Sequence, residues 1–246
     1  MYAGQLIQKD SEQLVQRDLD PTDAQAFSDR GTVKARSGDY QGAIADYDKA
    51  ISINPDFAVA FYNRGLAKYY LGNYQGAIAD YDKATSINPD YASAIFNRGT
   101  AKDNLGDYQG AIADYDKAIG INPDYANAFY NRGIAKDNLG DYQGAIADYD
   151  KVISINPNYA NAFYNRGLAK YYLGNYQGAV ADYDKAISIN PNYAHVFFNR
   201  SIAKLKSGDK NGAIKDITIS VELFRKQGNK KGETIALAFL RKLQNR

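Results

Sequence analysis

The stretch AKDNLGDYQGAIADYDK occupies residues 101–117 and returns without a change at 135–151, thirty-four positions later. A catalytic motif has to be present once. Verbatim recurrence at a fixed interval is the mark of a structural unit that stacks on copies of itself, and a period of this length points to a solenoid of repeated supersecondary units.

Working outward, the prolines set the register. Pro21, Pro55, Pro89, Pro123, Pro157 and Pro191 are evenly spaced, five after Asn and one after Asp. They divide the chain into six blocks, 24–57, 58–91, 92–125, 126–159, 160–193 and a more divergent 194–227. Each block reads as two helices. In the fourth, Asp124 is the expected N-cap of a first helix from Ala126 to Leu139. Gly140 supplies a left-handed stop and Asp141 caps a second helix through Ala145, Ile146, Tyr149 and Ile153. Asn156-Pro157 ends it, because proline disfavours helical geometry in the residue before it. A turn this short forces the pair antiparallel, and neither helix can bury its apolar face alone, so neighbouring blocks must supply the rest of the core.

Two glycine columns run through the blocks. Gly31, Gly65, Gly99, Gly133 and Gly167, with Ser201 last, face the height of Ala145 and its equivalents, which predicts close approach of the two helices. Gly42, Gly76, Gly110, Gly144, Gly178 and Gly212 lie in the first turn of the second helix, where glycine costs up to about 1 kcal/mol against alanine; a neighbouring helix passing close by is the expected reason. An arginine column, Arg30, Arg64, Arg98, Arg132, Arg166 and Arg200, is followed sixteen residues later by Asp46, Asp80, Asp114, Asp148, Asp182 and Asp216. In an antiparallel hairpin these fall at one height and form an ion pair that fixes helix register, the alternative being two solvated charges on opposite faces.

The pattern resembles the tetratricopeptide repeat, with Phe61, Gly65, Ala77, Tyr81 and Pro89 carrying the likeness in the second block. The resemblance spans residues 24–227. It departs from the family in placing arginine where leucine is usual before the glycine, and lysine (Lys34, Lys68, Lys102, Lys136, Lys170, Lys204) where tyrosine is usual after it. It implies an all-α, right-handed superhelical solenoid. Residues 1–23, with Leu6, Ile7, Leu14, Val15 and Leu19, are expected to form a capping helix over the first block. Residues 228–246 are expected to cap the last, with Ile235, Phe239 and Leu243 on the apolar face.

Composition places the chain among folded proteins, since it is 45% hydrophobic and 24% charged. The net charge of +2 argues against nucleic acid as the default partner, although residues 1–23 sum to −3 and residues 194–246 to +8. No cysteine is present, which excludes disulfides and thiolate chemistry. No apolar run reaches the length of a membrane span, and MYAGQLIQKD lacks the apolar stretch of a secretory signal, so a cytoplasmic location is expected, a removed signal being the alternative. His195, the single histidine, has no acid near it in sequence. No catalytic residues, metal site or cofactor are expected.

What the blocks present is a surface. One stripe of each first helix is not needed for packing, and the resemblance places it on the inner, concave face. Along it run Tyr62, Phe96, Tyr130, Tyr164 and Phe198, beside Asn63, Asn97, Asn131, Asn165 and Asn199. An amide can pair with both C=O and N–H of an extended backbone, and in some family members the equivalent asparagines do so; the family consensus favours asparagine here even without a ligand. Tyr69, Tyr70, Tyr171 and Tyr172 flank a middle that carries Asp103 and Asp137, which suits a segment with a central Lys or Arg. The lysine–asparagine clamp that grips a C-terminal carboxylate in some members is absent. The expected function is a non-enzymatic scaffold binding a protein or peptide segment. The rivals are self-association, the acidic start of one chain meeting the basic end of another, and docking of that basic end on nucleic acid or an anionic membrane.

Overall fold

The computed structural model describes residues 20–245. The expected N-terminal capping helix lies outside the described residues apart from its last four positions. Every element among the described residues is a helix, and they fall into two compact units that meet in sequence at Pro123 and Asp124. The first unit holds α1 (Ala24–Arg36), α2 (Tyr40–Ile53), α3 (Ala58–Tyr70), α4 (Tyr74–Ile87), α5 (Ala92–Asn104) and α6 (Tyr108–Ile121). The second holds α7 (Ala126–Asn138), α8 (Tyr142–Ile155), α9 (Ala160–Tyr172), α10 (Tyr176–Ile189), α11 (Ala194–Lys206), α12 (Lys210–Lys226) and α13 (Lys230–Gln244). Within each unit, paired helices of one block pack on each other and the second helix packs on the first helix of the next, giving a solenoid of helix pairs. First helices of successive blocks also touch, whereas second helices make no comparable contact. The first-helix side is therefore the narrower, inner side of each unit.

The turns follow the local chemistry. Gly140 has φ of 80°, a conformation that costs a side chain about 1 kcal/mol and glycine nothing. Asp141 then accepts a hydrogen bond from the Gly144 amide at 2.9 Å, as an N-cap should. The first helices are capped differently from expectation. Tyr125, not Asp124, occupies the cap position of α7, and its side chain makes no capping bond. The preceding turns are instead tied by the asparagine before proline: Asn54 Oδ1 accepts from the Asp56 amide at 3.1 Å and Asn156 Oδ1 from the Asn158 amide at 3.1 Å. This frees the cap residue to be aromatic. Tyr91 and Tyr159 use that freedom to lay their rings 4.9 and 5.1 Å from Tyr62 and Tyr130.

The glycine columns also have reasons other than those expected. A Cβ on Gly144 would lie 2.1 Å from Asp141 Oδ2, so the cap carboxylate, not a neighbouring helix, demands glycine there. A Cβ on Gly133 would lie 2.7 Å from the Tyr149 ring, which is fully buried. The close approach is helix to ring rather than backbone to backbone. In the last block the ring has become Ile217 and the glycine Ser201, whose hydroxyl bonds the Phe198 carbonyl at 2.7 Å. The shorter side chain leaves room for the larger one.

The arginine–aspartate pairs form as the spacing predicts and extend further. Arg132 donates to Asp148 from Nε at 3.0 Å and Nη2 at 2.5 Å, a bidentate pair of the strongest geometry. Lys136 adds a second cation at 2.9 Å. Asp148 is 2% exposed, so it depends on both. At Asp46, burial pushes the carboxyl up, but the hydrogen bonds of Arg30 and Lys34 outweigh it and hold the group below the usual carboxylate range. The same arginine also reaches the preceding block. Arg64 binds Asp80 within its own block and Asp48 of the block before, each at 2.5 Å. Arg166 and Arg200 do likewise with Asp150 and Asp184. Arg64, Arg98, Arg166 and Arg200 thus each lock one hairpin and its junction with the block before. The series ends cleanly: where Asp48 and its equivalents stand, block six has Thr218, and one period after Arg200 stands Thr234.

Helix α13 lies on α12, burying Ala236 and Leu243 with Phe239 and Leu240 partly covered. Ile235, expected on that face, is exposed instead, because the buried stripe runs one position later through Ala236.

Candidate functional site

The inner stripe is built by the residues that the hairpin packing leaves over. Three of its five asparagines are held by the block before. Asn97 Nδ2 donates to the Tyr62 hydroxyl at 3.1 Å, Asn165 to Tyr130 at 3.0 Å and Asn199 to Tyr164 at 2.8 Å. One N–H of each amide is used in this way, which fixes the amide plane and leaves a second N–H and a carbonyl oxygen. Asn131 sits half-buried at the same helical position of α7, and Asn63 lines a cleft beside α1.

The aromatic column is more deeply embedded than a contact surface needs. Tyr62, Phe96, Tyr130, Tyr164 and Phe198 are half-buried. Tyr62 lies 6.1 Å from the core ring of Tyr81, Phe96 5.7 Å from Tyr115, and Phe198 5.9 Å from Phe239. Burial pushes the Tyr130 and Tyr164 phenols up to about 12. These rings act first as packing and as acceptors for the asparagines.

The tyrosine pairs divide in two. Tyr69 and Tyr171 turn inward, their rings 5.2 and 5.3 Å from Tyr74 and Tyr176, and Tyr69 also accepts from Asn104 at 3.0 Å. Tyr70 and Tyr172 turn outward and are 63% and 61% exposed. Each stacks on the first residue of the preceding block's second helix, Tyr70 on Tyr40 at 5.2 Å and 16°, Tyr172 on Tyr142 at 5.0 Å and 15°. Tyr40 and Tyr142 were not singled out by the sequence pattern, because tyrosine opens nearly every second helix and nothing in one block marks which of them meets an outward partner.

Asp103 and Asp137 are half-buried ends of α5 and α7, one in each unit. Burial pushes both carboxyls up, Asp137 to about 6, with Asp141 adding to the rise and the Tyr149 hydroxyl opposing it. Tyr149 donates to Asp137 Oδ2 at 2.6 Å. Oδ1 of each aspartate is enclosed with no hydrogen-bond partner. His195 is exposed, its ring edge-on to Phe224 at 4.8 Å. Among the described residues no group of acids and histidines is arranged to hold a metal ion, and no helix is long and apolar enough to cross a membrane.

Comparison with known proteins decides the family. The Tetratricopeptide repeat model matches residues 58–91 and 160–193, and the TPR repeat model matches 31–70, 104–136 and 138–174. The crystal structure of MamA is 30% identical over 67% of this chain and 96% of its own, with a TM-score of 0.64. The chain is a tetratricopeptide-repeat protein. As such it is a non-enzymatic scaffold for protein–protein interaction. The tetratricopeptide-repeat protein YrrB, described as having an unusual peptide-binding site, is 25% identical over 71% of this chain and 90% of its own, at a TM-score of 0.64. PilW, a type IV pilus biogenesis factor, shares the fold at 21% identity, covering 87% of this chain and 98% of its own with a TM-score of 0.73. No curated protein sequence matches the chain.

Proposed function

We propose that this tetratricopeptide-repeat protein binds an extended protein segment along the inner stripe of its first helices. The observation that carries the reading is the set of asparagines whose amides are pinned by tyrosine hydroxyls. A side chain already fixed by one hydrogen bond loses little freedom on making a second, so its remaining N–H and C=O are prepared to pair with a peptide backbone. Exposed Tyr70 and Tyr172 supply apolar contact at modest entropic cost, and Asp103 and Asp137 give the stripe of each unit a carboxylate that favours a basic residue in the ligand. The description of YrrB as a peptide binder is consistent with this use of the fold. The test is selection of a random peptide library on the wild-type chain, followed by binding of the enriched peptides to a variant with Asn97, Asn165 and Asn199 all changed to Ala. Loss of binding with an unchanged melting temperature supports the ladder; undiminished binding removes it.

A further inference from the structure

The same tyrosine frame is built twice, once in each unit, and the first of the two borders an open cleft. Residues 61–77 and 163–179 are identical, so Tyr70 on Tyr40 and Tyr172 on Tyr142 stack alike. What differs is the preceding block's first helix, where Thr32 of the first unit answers to Ile134 of the second and the last two residues differ as well. In the second unit that end is Asp137-Asn138, and Asp137, a larger residue than alanine, takes the Tyr149 hydroxyl. In the first unit it is Ala35-Arg36. Tyr47, the counterpart of Tyr149, there meets Thr32 Oγ1 at 3.3 Å instead. The small side chain of Ala35 leaves a cleft of about 380 Å³ lined by Ala35, Arg36, Tyr40, Asn63, Leu66 and Tyr70. Every other block carries a larger residue at the place of Ala35: Tyr69, Asp103, Asp137, Tyr171 or Leu205.

We infer that this cleft is a specificity pocket for an aromatic side chain flanked by an acidic residue in the bound segment; the inference rests on the inner-stripe reading above. The volume is within the range of built ligand pockets; Ala35, Leu66, Ala67 and the tyrosine rings give it an apolar side, and Thr32, Arg36 and Asn63 a polar one. An aromatic ring entering it would lie against Leu66 and Ala35, with the exposed Tyr70 ring alongside. The charge at the rim sets the second requirement. Arg36 is exposed and makes no ion pair or side-chain hydrogen bond with another described residue. It therefore offers its planar donor fork to a carboxylate, which it recognises in bidentate fashion better than lysine would. Asn63, beside it, can hold the backbone between the two recognised side chains.

The test uses Gly/Ser host peptides with a central Glu-Phe, Lys-Phe or Glu-Ala, titrated into the full chain and followed by NMR shifts. Glu-Phe is expected to bind at least about tenfold more tightly than Lys-Phe or Glu-Ala. Arg36→Glu should reverse the order of Glu-Phe and Lys-Phe. Ala35→Tyr, which installs the residue the next block already carries beside Tyr70, should abolish Glu-Phe binding without lowering the melting temperature. Equal binding of Glu-Phe and Lys-Phe, or a preference that survives both substitutions, overturns the inference. If binding is insensitive to Ala35→Tyr and Arg36→Glu but lost when Asn97, Asn165 and Asn199 become Ala, the inner-stripe reading stands and the pocket falls. If no peptide binds any variant, both fall together.

Discussion

Arg166 and Tyr172 stand six residues apart on α9 and answer to different constraints. Arg166 pairs with buried Asp182 and with Asp150 of the block before, its guanidinium 5.3 Å from the centre of the Phe163 ring. An arginine holds that place in all six blocks. Tyr172 faces water, touches only the rings of Tyr142 and Tyr171, and its equivalents are Arg36, Tyr70, Asn104, Asn138 and Lys206. A position whose neighbours come from three helices cannot vary without loss of the junction; one whose neighbours come from the solvent can. The constant columns are therefore the architecture, and the variable ones are where the blocks acquire individual binding character.

The largest effect that would test this division is removal of the junction charge. Arg166→Leu deletes both ion pairs and leaves Asp182 buried beside Lys170 alone. Breaking a buried, hydrogen-bonded pair by losing one partner costs about 3 kcal/mol or more, the retained lysine keeping the loss near the lower end. Urea unfolding should register it as a fall in midpoint. Changing Asp182→Asn in the same chain should recover much of the loss, since no buried charge is then stranded. A neutral single change would mean that the pairs are incidental and that the junction rests on apolar packing.

Next in size is a coupled pair of core columns. A Cβ at Gly167 would sit 2.7 Å from the ring of Tyr183, which is fully buried and has nowhere to move. Overpacking of this kind costs about 1–3 kcal/mol, reduced by the helix propensity that alanine gains over glycine. Gly167→Ala should therefore destabilise by about 1–2 kcal/mol. The last block predicts the remedy, because Ser201 is tolerated opposite Ile217. Gly167→Ala combined with Tyr183→Ile should be more stable than the sum of the two single changes; strict additivity would show that the columns are not in contact.

The columns also show what a periodic sequence discloses. The period, the hairpin and the pairing of Arg132 with Asp148 were all legible, because a separation of sixteen residues within an antiparallel pair fixes relative height. The second arm of Arg64, Arg98, Arg166 and Arg200 was not. Asp48 lies sixteen residues before Arg64 just as Asp80 lies sixteen after, and only the packing of one block on the next shows that both distances close. The reason for Gly144 was missed likewise, since a cap carboxylate folding back over the first turn leaves no mark on spacing. On the inner stripe the sequence named the asparagines and tyrosines but not their mutual bonds. A column of like residues implies a ladder, whereas the actual contacts run diagonally, from an amide in one block to a phenol in the block before.

A smaller effect lies in the second unit, where Asp137 departs from the pattern of satisfied carboxylates. Its folded-state carboxyl is raised to about 6, above the value near 4 of an unfolded aspartate. Between those values the folded chain holds the extra proton. The stabilising contribution of protonation is thus complete below about 4 and is lost as pH rises through about 6. At neutral pH the ionised group opposes folding, by about 1 kcal/mol once its partial exposure to solvent is allowed for. Asp137→Asn, which keeps an acceptor for the Tyr149 hydroxyl, should stabilise the chain at pH 7.5 and remove that part of its pH dependence between 4 and 6. Melting curves at three pH values would show it. A variant less stable than wild type at every pH would mean that the charge, not only the acceptor, is needed.

The smallest change belongs to the outward rings themselves. Tyr172→Ala removes one stacked contact with Tyr142 from a largely exposed site, and aromatic pairs contribute about 0.5–1.5 kcal/mol beyond their burial. Exposure puts the expected loss of stability at the low end of that range, about 0.5 kcal/mol, and the same should hold for Tyr70→Ala against Tyr40. The two substitutions are chemically identical in frames whose own residues match, so a difference between them comes from what flanks the frames, chiefly Thr32 and Ala35-Arg36 against Ile134 and Asp137-Asn138. For stability they should agree. For a bound segment they should not: Tyr70 forms a wall of an open cleft, whereas the place of Ala35 in the other frame is filled by Asp137. Dissociation rates of one enriched peptide from the two variants make the comparison. Faster release from Tyr70→Ala than from Tyr172→Ala assigns binding to the open frame, and equal release would show that the aromatic pair alone, irrespective of what precedes it, is the element the ligand reads.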